Sequence, residues 1–472
     1  MQDQSDNSEL NNKTIKHPLH SEGLGEAPSK RDGFEKAPSK HRNPWAWVPS
    51  LYFAEGLPYV AVTLLSIEIF MQMGLSDAEV TFYTSWLYLP WVIKPFWSPF
   101  LDLFKTKRWW IVTMELLLGA AYAGVAFTIQ TDWWLQGSLC FFWLMAFSSA
   151  THDVAADGFY MMGLNEHEQA FFVGIRSTFY RLSMIVGKGV LIMFAGVLQV
   201  VFRNGIQFSW GLIFYGLTGL FIAFYLYHNF VLPRPKEDAN HEENKTAHDI
   251  FYGFVETFVS FFKKKQIIVA ILFMMLFRLP EALLTPVSQL FLQAQPSRGG
   301  LGLSPQEFGL VNGTVGVIGL LAGGIIGGML ASRDGLKRWL WPMTAAITIP
   351  NIAYVYLAYV MPESLFAINA AVFIENFGYG FGFTAYMLFL IYFSQGEHKT
   401  SHYALCTGFM ALSMMVPGLF AGALAQTVGY RMFFVIVMIS CLLPFIVAQY
   451  LKIDPHFGKG EDNEGLLEEV EE

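Results

Sequence analysis

The sequence predicts an all-α polytopic membrane protein, with twelve transmembrane helices in two six-helix bundles. Three observations carry that reading. Hydrophobic residues make up 54% of the 472 and charged ones only 14%, against about a quarter charged in soluble proteins. Of the 30 Lys+Arg and 38 Asp+Glu, 36 lie in residues 1–44, 233–265 and 452–472. The 374 residues between them fall into apolar runs of 18–28, long enough as helices to cross a hydrocarbon core of ~30 Å. Helices are the expected form because a helix satisfies its own backbone polar groups in lipid. A soluble globule is excluded. So is a nucleic-acid binder, since no folded part is strongly basic.

Residues 1–44 hold seven acids, seven bases and the repeat Ala27-Pro28-Ser29-Lys30 and Ala37-Pro38-Ser39-Lys40, without the apolar core of a signal peptide. They are expected as a disordered cytoplasmic extension. Span 1 (45–72) carries Glu55 in Ala54-Glu55-Gly56-Leu57-Pro58-Tyr59, a broken helix, and Glu68 near its end. Span 2 (79–101) carries Lys94 just before Pro95, among Trp86, Trp91 and Trp97. Spans 3 (109–130) and 4 (135–163) carry Glu115 and then His152, Asp153 and Asp157; span 5 (170–200) carries Arg176, Arg181 and Lys188. Span 6 (209–232) closes the first bundle, 45–232, and 233–265 is the one long polar break, ending in Lys263, Lys264 and Lys265. The second bundle, 266–452, opens with span 7 (266–294), where Pro280 separates Arg278 from Glu281. Span 8 (306–331) and span 10 (364–394) are glycine-rich, a composition that lets helices approach closely, and span 10 also holds Glu375 beside Asn376. Spans 9 (339–360), 11 (402–427) and 12 (430–451) complete the bundle, and 453–472 is an acidic tail. The last twelve residues contain seven acids and no base, so the net charge of −8 belongs to the tail.

Orientation follows from the excess of Lys and Arg in cytoplasmic loops. With the N-terminus inside, the cytoplasmic segments hold 22 Lys and Arg, while the outer loops keep only Arg203, Arg298 and Arg431. Both termini are therefore expected in the cytoplasm. The halves echo one another. Asp102 is followed by Lys105, Lys107, Arg108 and Trp109, and Asp334 by Lys337, Arg338 and Trp339. Two six-helix halves around a central cytoplasmic loop resemble the major facilitator superfamily, a transporter fold of nested repeats. The Asp-plus-basic loop resembles that superfamily's signature. An acid at a helix C-terminus opposes the macrodipole, so Asp102 and Asp334 are expected to have partners on a neighbouring helix. With Arg108 and Arg338 they form a candidate gate.

An ionisable group at membrane depth costs at least ~2.5 kcal/mol, so each is a functional hypothesis. Asp153 and Asp157, four apart, share a helix face, and two close carboxylates resist joint ionisation. With Arg181 as counter-ion, they are the candidate proton-coupling set; the alternatives are a static pair bracing spans 4 and 5, or gating at the cytoplasmic end. His152, one residue off that face, is expected to pack or cap. Arg278 and Glu281 form either an intrahelical pair or part of a substrate site. Matching Glu/Pro interruptions in spans 1 and 7 point to a central cavity lined by Glu55, Tyr59, Lys94, Arg278, Glu281, Glu375 and Asn376. Glu68 and Glu115 fall near run ends and are expected to be solvated, and Lys188 either snorkels or lines the cavity. Most tryptophans fall at expected interfaces as belt anchors. Cys140, Cys406 and Cys441 form no framework. No nucleophile elbow, zinc motif or Walker loop is present, so neither an enzyme nor a primary pump is expected, and no cofactor or metal.

Specific residues resemble a narrower family. Phe53-Ala54-Glu55-Gly56-Leu57-Pro58, Lys94-Pro95-Phe96-Trp97-Ser98-Pro99-Phe100-Leu101-Asp102 and Ser148-Ser149-Ala150-Thr151-His152-Asp153-Val154-Ala155-Ala156-Asp157 look like the AmpG-type muropeptide permeases. So do Tyr180-Arg181-Leu182, Gly309-Leu310-Val311-Asn312, Ala371-Val372-Phe373-Ile374-Glu375-Asn376 and His402-Tyr403-Ala404-Leu405, in order from span 1 to span 11. The resemblance implies a proton-coupled importer of anhydromuropeptides, products of cell-wall turnover, in the inner membrane of a Gram-negative bacterium. Asp153, Asp157, Arg181, Glu375 and Asn376 are the positions it carries over. The chain departs from the family at Glu55, at His152 in place of an amide, and in lacking a basic residue shortly after Asp157. The related acetyl-CoA transporter branch shares the Gly-Pro span 1 and the paired acids. An acetyl-CoA-like thioester, a sugar or a siderophore is therefore the alternative solute, and a membrane-embedded acyltransferase or a transporter-like receptor the alternative class. The expected partners are a small-molecule substrate, protons and the bilayer, with no nucleic acid, and a monomer is the expected state.

Overall fold

The computed structural model describes residues 42–164, 166–203, 205–234, 247–396, 398–455 and 457. Nearly all of the N-terminal extension and most of the acidic tail, together with the Asp102 side chain, lie outside the described residues and side chains. Among the described residues all regular structure is helical.

Among the described residues, ten helical stretches are long and apolar enough to cross a membrane. Nine correspond to spans 1 and 3–10, with Pro44–Gln72 as span 1 and Trp134–Gly163 as span 4. The tenth, Ser401–Gln449, has 49 residues and at ~1.5 Å per residue is long enough to cross twice. Its break is Gly429, at φ 77°, a left-handed conformation that suits glycine. This divides spans 11 and 12. Span 2 runs in two pieces, Asp77–Trp86 and Leu89–Phe104, with Pro90 in the first turn of the second, where no intrahelical N–H is required.

Spans 2 and 8 start alike. Ser76 accepts from the Glu79 N–H at 3.3 Å while the Glu79 carboxylate accepts from the Ser76 N–H at 3.0 Å. Ser304 and Glu307 repeat this at 3.3 and 2.9 Å. Each is a reciprocal capping box that satisfies two orphan donors of a helix start. Span 7 is broken between Ile267–Leu276 and Leu279–Gln293. Three spans contain π-helical segments: Ala61–Leu65 in span 1, Ile185–Leu191 in span 5 and Gly309–Val315 in span 8. The last two cross backbone to backbone. A Cβ placed on Gly313 would lie 2.3 Å from Gly189 Cα.

Spans 1–6 pack largely on one another, as do spans 7–12; spans 2 and 11 and spans 5 and 8 join the halves. The join is asymmetric. At the far end, where span 1 stops and span 2 starts, one hydrophobic core runs through both halves, from Leu65 and Phe70 to Leu290, Phe308 and Phe434. At the basic end, which carries Lys107, Arg333 and Arg338, each half has a separate core. Trp47, Phe159 and Leu232 belong to one, and Phe273, Tyr386 and Leu405 to the other. The two bundles are therefore closed together at the far end and separated toward the basic end.

The 233–265 break is not all loop. Ala247–Phe262 is a helix that packs against span 2 and is hydrogen-bonded to span 11 of the second half. Its Ser260 hydroxyl lies 3.0 Å from His402 Nε2, and Phe261 stacks on Phe409. Lys264 donates to the Phe393 and Gln395 carbonyls at 2.5 and 2.8 Å, satisfying acceptors at the end of span 10 that have no helical partner.

Candidate functional site

The first half brings a cluster of charges to the separated face. Lys94 of span 2 forms an ion pair with Asp153 of span 4. One turn toward the basic end, Asp157 pairs with Arg176 of span 5 at 3.0 Å. Tyr52 completes this second pair. Its hydroxyl donates to Asp157 at 3.1 Å and accepts from Arg176 at 3.0 Å. The guanidinium also sits over the Tyr52 and Tyr160 rings, 4.7 and 5.0 Å from their centroids, a cation–π arrangement. Glu55, one helical turn after Tyr52, lies within electrostatic reach of Asp153, Asp157, Arg176 and Lys94. It is buried, and its Oε2 has no hydrogen-bond partner. The Asp157 side chain is 44% exposed, so the cluster opens toward the basic end.

The second half supplies another set. Arg278, at the break in span 7, donates to the Tyr379 hydroxyl at 2.8 Å and lies 4.9 Å from the Phe383 ring centroid. The chain break at this point gives the side chain its position. Arg278 is the N-cap of the second helical piece rather than a residue inside a continuous helix. Glu281 accepts from Thr285 at 2.6 Å and keeps Oε2 without a partner. Glu375 accepts from its neighbour Asn376 at 2.7 Å. Lys188 of span 5 reaches across the halves into the field of Glu281 and Glu375. Tyr59 sits within reach of Arg278, Asp153 and Lys94, its ring 5.2 Å from Trp91 in an edge contact. Beyond this layer toward the far end, Thr63, Thr84, Ser85 and Thr285 ring a void of about 20 Å³.

All seven expected cavity residues therefore lie in two facing polar sets, joined through Tyr59 and Lys188. The expected counter-ion does not. Lys94 and Arg176 take the two acids, and Arg181 turns to span 8, where its Nη1 lies 3.3 Å from a Cβ built on Gly324. The reason is helical phase: five residues on from Arg176, a side chain points about 140° away. Tyr52, Arg176 and Tyr379 were missed as site residues. Arg176 was recognisable as an intramembrane base, and Tyr52 as the residue three before Glu55 on the same helix face. Arg278 and Glu281 make no direct ion pair but stay within electrostatic reach of one another, their hydrogen-bond partners being Tyr379 and Thr285.

Two acids expected in solvent are buried. Glu115 meets His228 Nδ1 at 2.5 Å and His152 Nε2 at 3.5 Å, and His228 reaches Ser50 at 2.8 Å. Glu68 accepts from Gln72 and from Gln293, each at 2.5 Å. Of the gate residues, Asp334, Arg338 and Arg108 are engaged locally, and the Asp102 side chain lies outside those described. Asp334 accepts from Arg333 at 3.1 Å, Arg338 at 3.3 Å and Trp339 Nε1 at 2.9 Å, all within its own turn and the start of span 9. Arg108 donates to the Asn229 carbonyl in its own half. These described contacts each stay within one half. Among the described residues no three His, Cys, Asp or Glu are grouped as metal ligands would be.

Residues 53–331 match the model of the BT1 family and residues 282–467 that of the Major Facilitator Superfamily. The chain is 24% identical over 389 residues to the anhydromuropeptide permease of Escherichia coli K12, covering 81% of this chain and 74% of that one. It is 25% identical over 409 residues to the putative transporter AmpG 4 of Rickettsia conorii, covering 85% and 94%. Among solved structures it resembles a D-xylose–proton symporter (TM-score 0.65, 10% identity, 88% of this chain and 98% of that one). It also resembles the nucleoside transporter NupG (TM-score 0.63, 14% identity, 86% and 98%). With one family model spanning more than half of its length and the architecture shared with these transporters, the chain belongs to the BT1 family and has the fold of the major facilitator superfamily.

Proposed function

We propose that this transporter imports anhydromuropeptide-like solutes with protons by alternating access, and that the conformation described here is open to the cytoplasm. The observation that carries the proposal is the paired polar layer where the halves part. Among the described residues it holds five carboxyls (Glu55, Asp153, Asp157, Glu281, Glu375) against four cations (Lys94, Arg176, Lys188, Arg278). A set with one acid more than its cations can hold a proton and trade it for a cation or a bound solute, which is what coupling requires. In this reading Asp153 and Asp157 exchange protons, Lys94 and Arg176 follow them, and Glu55 is the third carboxyl of the set. Arg278, Tyr59, Glu281, Glu375 and Asn376 face the solute. Arg181 monitors span 8 across the cleft. The Asp334 turn ties spans 8 and 9 so that they move together, and Arg108 ties span 3 to span 6.

The substrate class rests on the permease relatives and on the resemblance of motifs from span 1 to span 11 to that family. The basic end is read as cytoplasmic from its Lys and Arg content, so both termini are read as lying on the cytoplasmic side of an inner membrane, and the working unit is read as a monomer. Uptake of labelled anhydromuropeptide into proteoliposomes, with and without an inward proton gradient, tests this function. Concentrative uptake that needs the gradient supports it. Uptake indifferent to the gradient refutes coupling, and absence of uptake refutes the solute. An Asp157→Asn variant that still concentrates the solute would remove Asp157 from the coupling set.

A further inference from the structure

The far-end closure contains a carboxylate that the proposed transport mechanism does not use. Glu68 is fully buried and carries no cation; its two oxygens accept one amide each, from Gln72 in the same span and from Gln293 in the other half. The orientation of Gln72 is determined. Its Oε1 accepts from Gln199 at 2.7 Å and from Trp210 Nε1 at 2.9 Å. An indole N–H can only donate, so Gln72 must turn its NH₂ to Glu68. The chain Trp210–Gln72–Glu68–Gln293 therefore runs from span 6 through span 1 to span 7. Two further hydrogen bonds join the halves at this end, Tyr430 to Asp77 at 2.7 Å and the Gly422 N–H to Thr81 at 3.0 Å.

We propose that Glu68 is a proton-binding site of the outer gate: ionised, it holds the halves shut through Gln293, and protonated, it lets them part. The physics is that of the acceptor. An ionised carboxylate takes both amides as charge-assisted bonds, roughly twice as strong as neutral ones. A protonated one keeps a single good acceptor, which Gln72 already claims, and Gln293 is left with a neutral bond after turning its amide. Opening the outer face removes Gln293 altogether and leaves a carboxylate without a cation at membrane depth, a state relieved by taking up a proton from outside. External acid thus favours the state that loads solute. The groups facing Glu68 are few. Span 5 brings Gln199, span 6 Trp210 and span 7 Gln293, all uncharged. The other acids at this end are Asp77, bonded to Tyr430, Glu79 and Glu307, which cap the helix starts at Ser76 and Ser304, and Asp132 and Glu363 in the loops before spans 4 and 10. The bases at this end are Arg203, Arg431, which donates to the Ala358 carbonyl, and Arg298, in the field of Tyr430.

The proposal rests on the transporter reading, and its test needs no solute, so the two fail separately. Hydrogen–deuterium exchange on the full chain, corrected for intrinsic exchange rates, follows the ends of spans 1 and 7 between pH 5.5 and 8. In the wild type, protection there falls about five- to tenfold on acidification, the ratio separating a charge-assisted from a neutral bond. In Glu68→Gln protection is low and flat with pH. Gln293→Leu, which keeps the acid and removes its partner, gives the same flat profile and stands in if Glu68→Gln fails to fold. Asp77→Asn keeps the wild-type slope. A wild-type profile flat with pH overturns the proposal, as does a slope that survives in Glu68→Gln or vanishes in Asp77→Asn.

Discussion

Substituting Gly313 by alanine tests whether the contact of spans 5 and 8 determines which face is closed. The added Cβ would lie 2.3 Å from Gly189 Cα and 2.5 Å from the Lys188 carbonyl oxygen. Both are backbone atoms and cannot rotate out of the way. Ordinary carbon contacts are ~3.5–4 Å, so the two backbones must part by about 1.2–1.7 Å. Overpacking of that kind costs ~1–3 kcal/mol, and it is incurred only in the conformation where the spans touch. The population should shift about 5- to 150-fold toward the opposite state. Spin labels at Val201→Cys and Ser297→Cys, exposed positions at the far ends of opposite halves, report the change by double electron–electron resonance once exposed Cys140 is replaced. Gly313→Ala should add a longer-distance population absent from the parent. A folded Gly313→Ala protein with an unchanged distance distribution would refute the claim that this crossing sets the closed face.

Three other outcomes follow from the site geometry. Lys94→Met and Asp153→Asn should each lower the thermal midpoint and cut uptake at least tenfold; the double variant should recover most of the stability, about 2 kcal/mol of coupling once partial exposure is discounted from the buried-pair range. Arg176→Ala should abolish gradient-driven uptake and destabilise the protein, whereas Arg181→Ala should change the thermal midpoint by the equivalent of less than about 1 kcal/mol, because no acid pairs with it. His228→Ala should destabilise by about 3 kcal/mol by stranding the buried Glu115 carboxylate, and adding Glu115→Gln should restore much of the loss in a thermal-unfolding assay.

Most of the architecture was legible because the membrane enforces it. Apolar run length and the basic loops gave the spans and the six-plus-six division, and the ends fell within a few residues of the observed helices. The capping boxes at Ser76 and Ser304 were readable as Ser-x-x-Glu and would have placed the starts of spans 2 and 8 more closely. The site was legible by residue but not by pairing. Asp153 and Asp157 lie on one helix face, as their spacing implies, but choosing between Arg176 and Arg181 required helical phase, and Lys94 comes from a span 59 residues earlier. Glu68 and Glu115 were misread because the end of an apolar run is not the end of a helix. Span 3 begins at Lys107, which carries Glu115 two turns in, and the partners Gln293 and His228 lie 225 and 113 residues away. The π-helical segments have no sequence signature and shift the face on which Lys188 points.

The linker helix bears on the speed of the cycle. It is bonded to the second half, and its described ring contact with the first is Phe258 against Phe96 of span 2, centroids 6.0 Å apart. Rings in such a contact slide over one another without surrendering a directional bond. At the opposite face, parting the halves means giving up the hydrogen bonds of Glu68, Asp77 and Thr81 together with a shared hydrophobic core. The unloaded protein should therefore rest open to the side of the linker, and its return stroke past the far-end bonds should be the slow step that limits turnover.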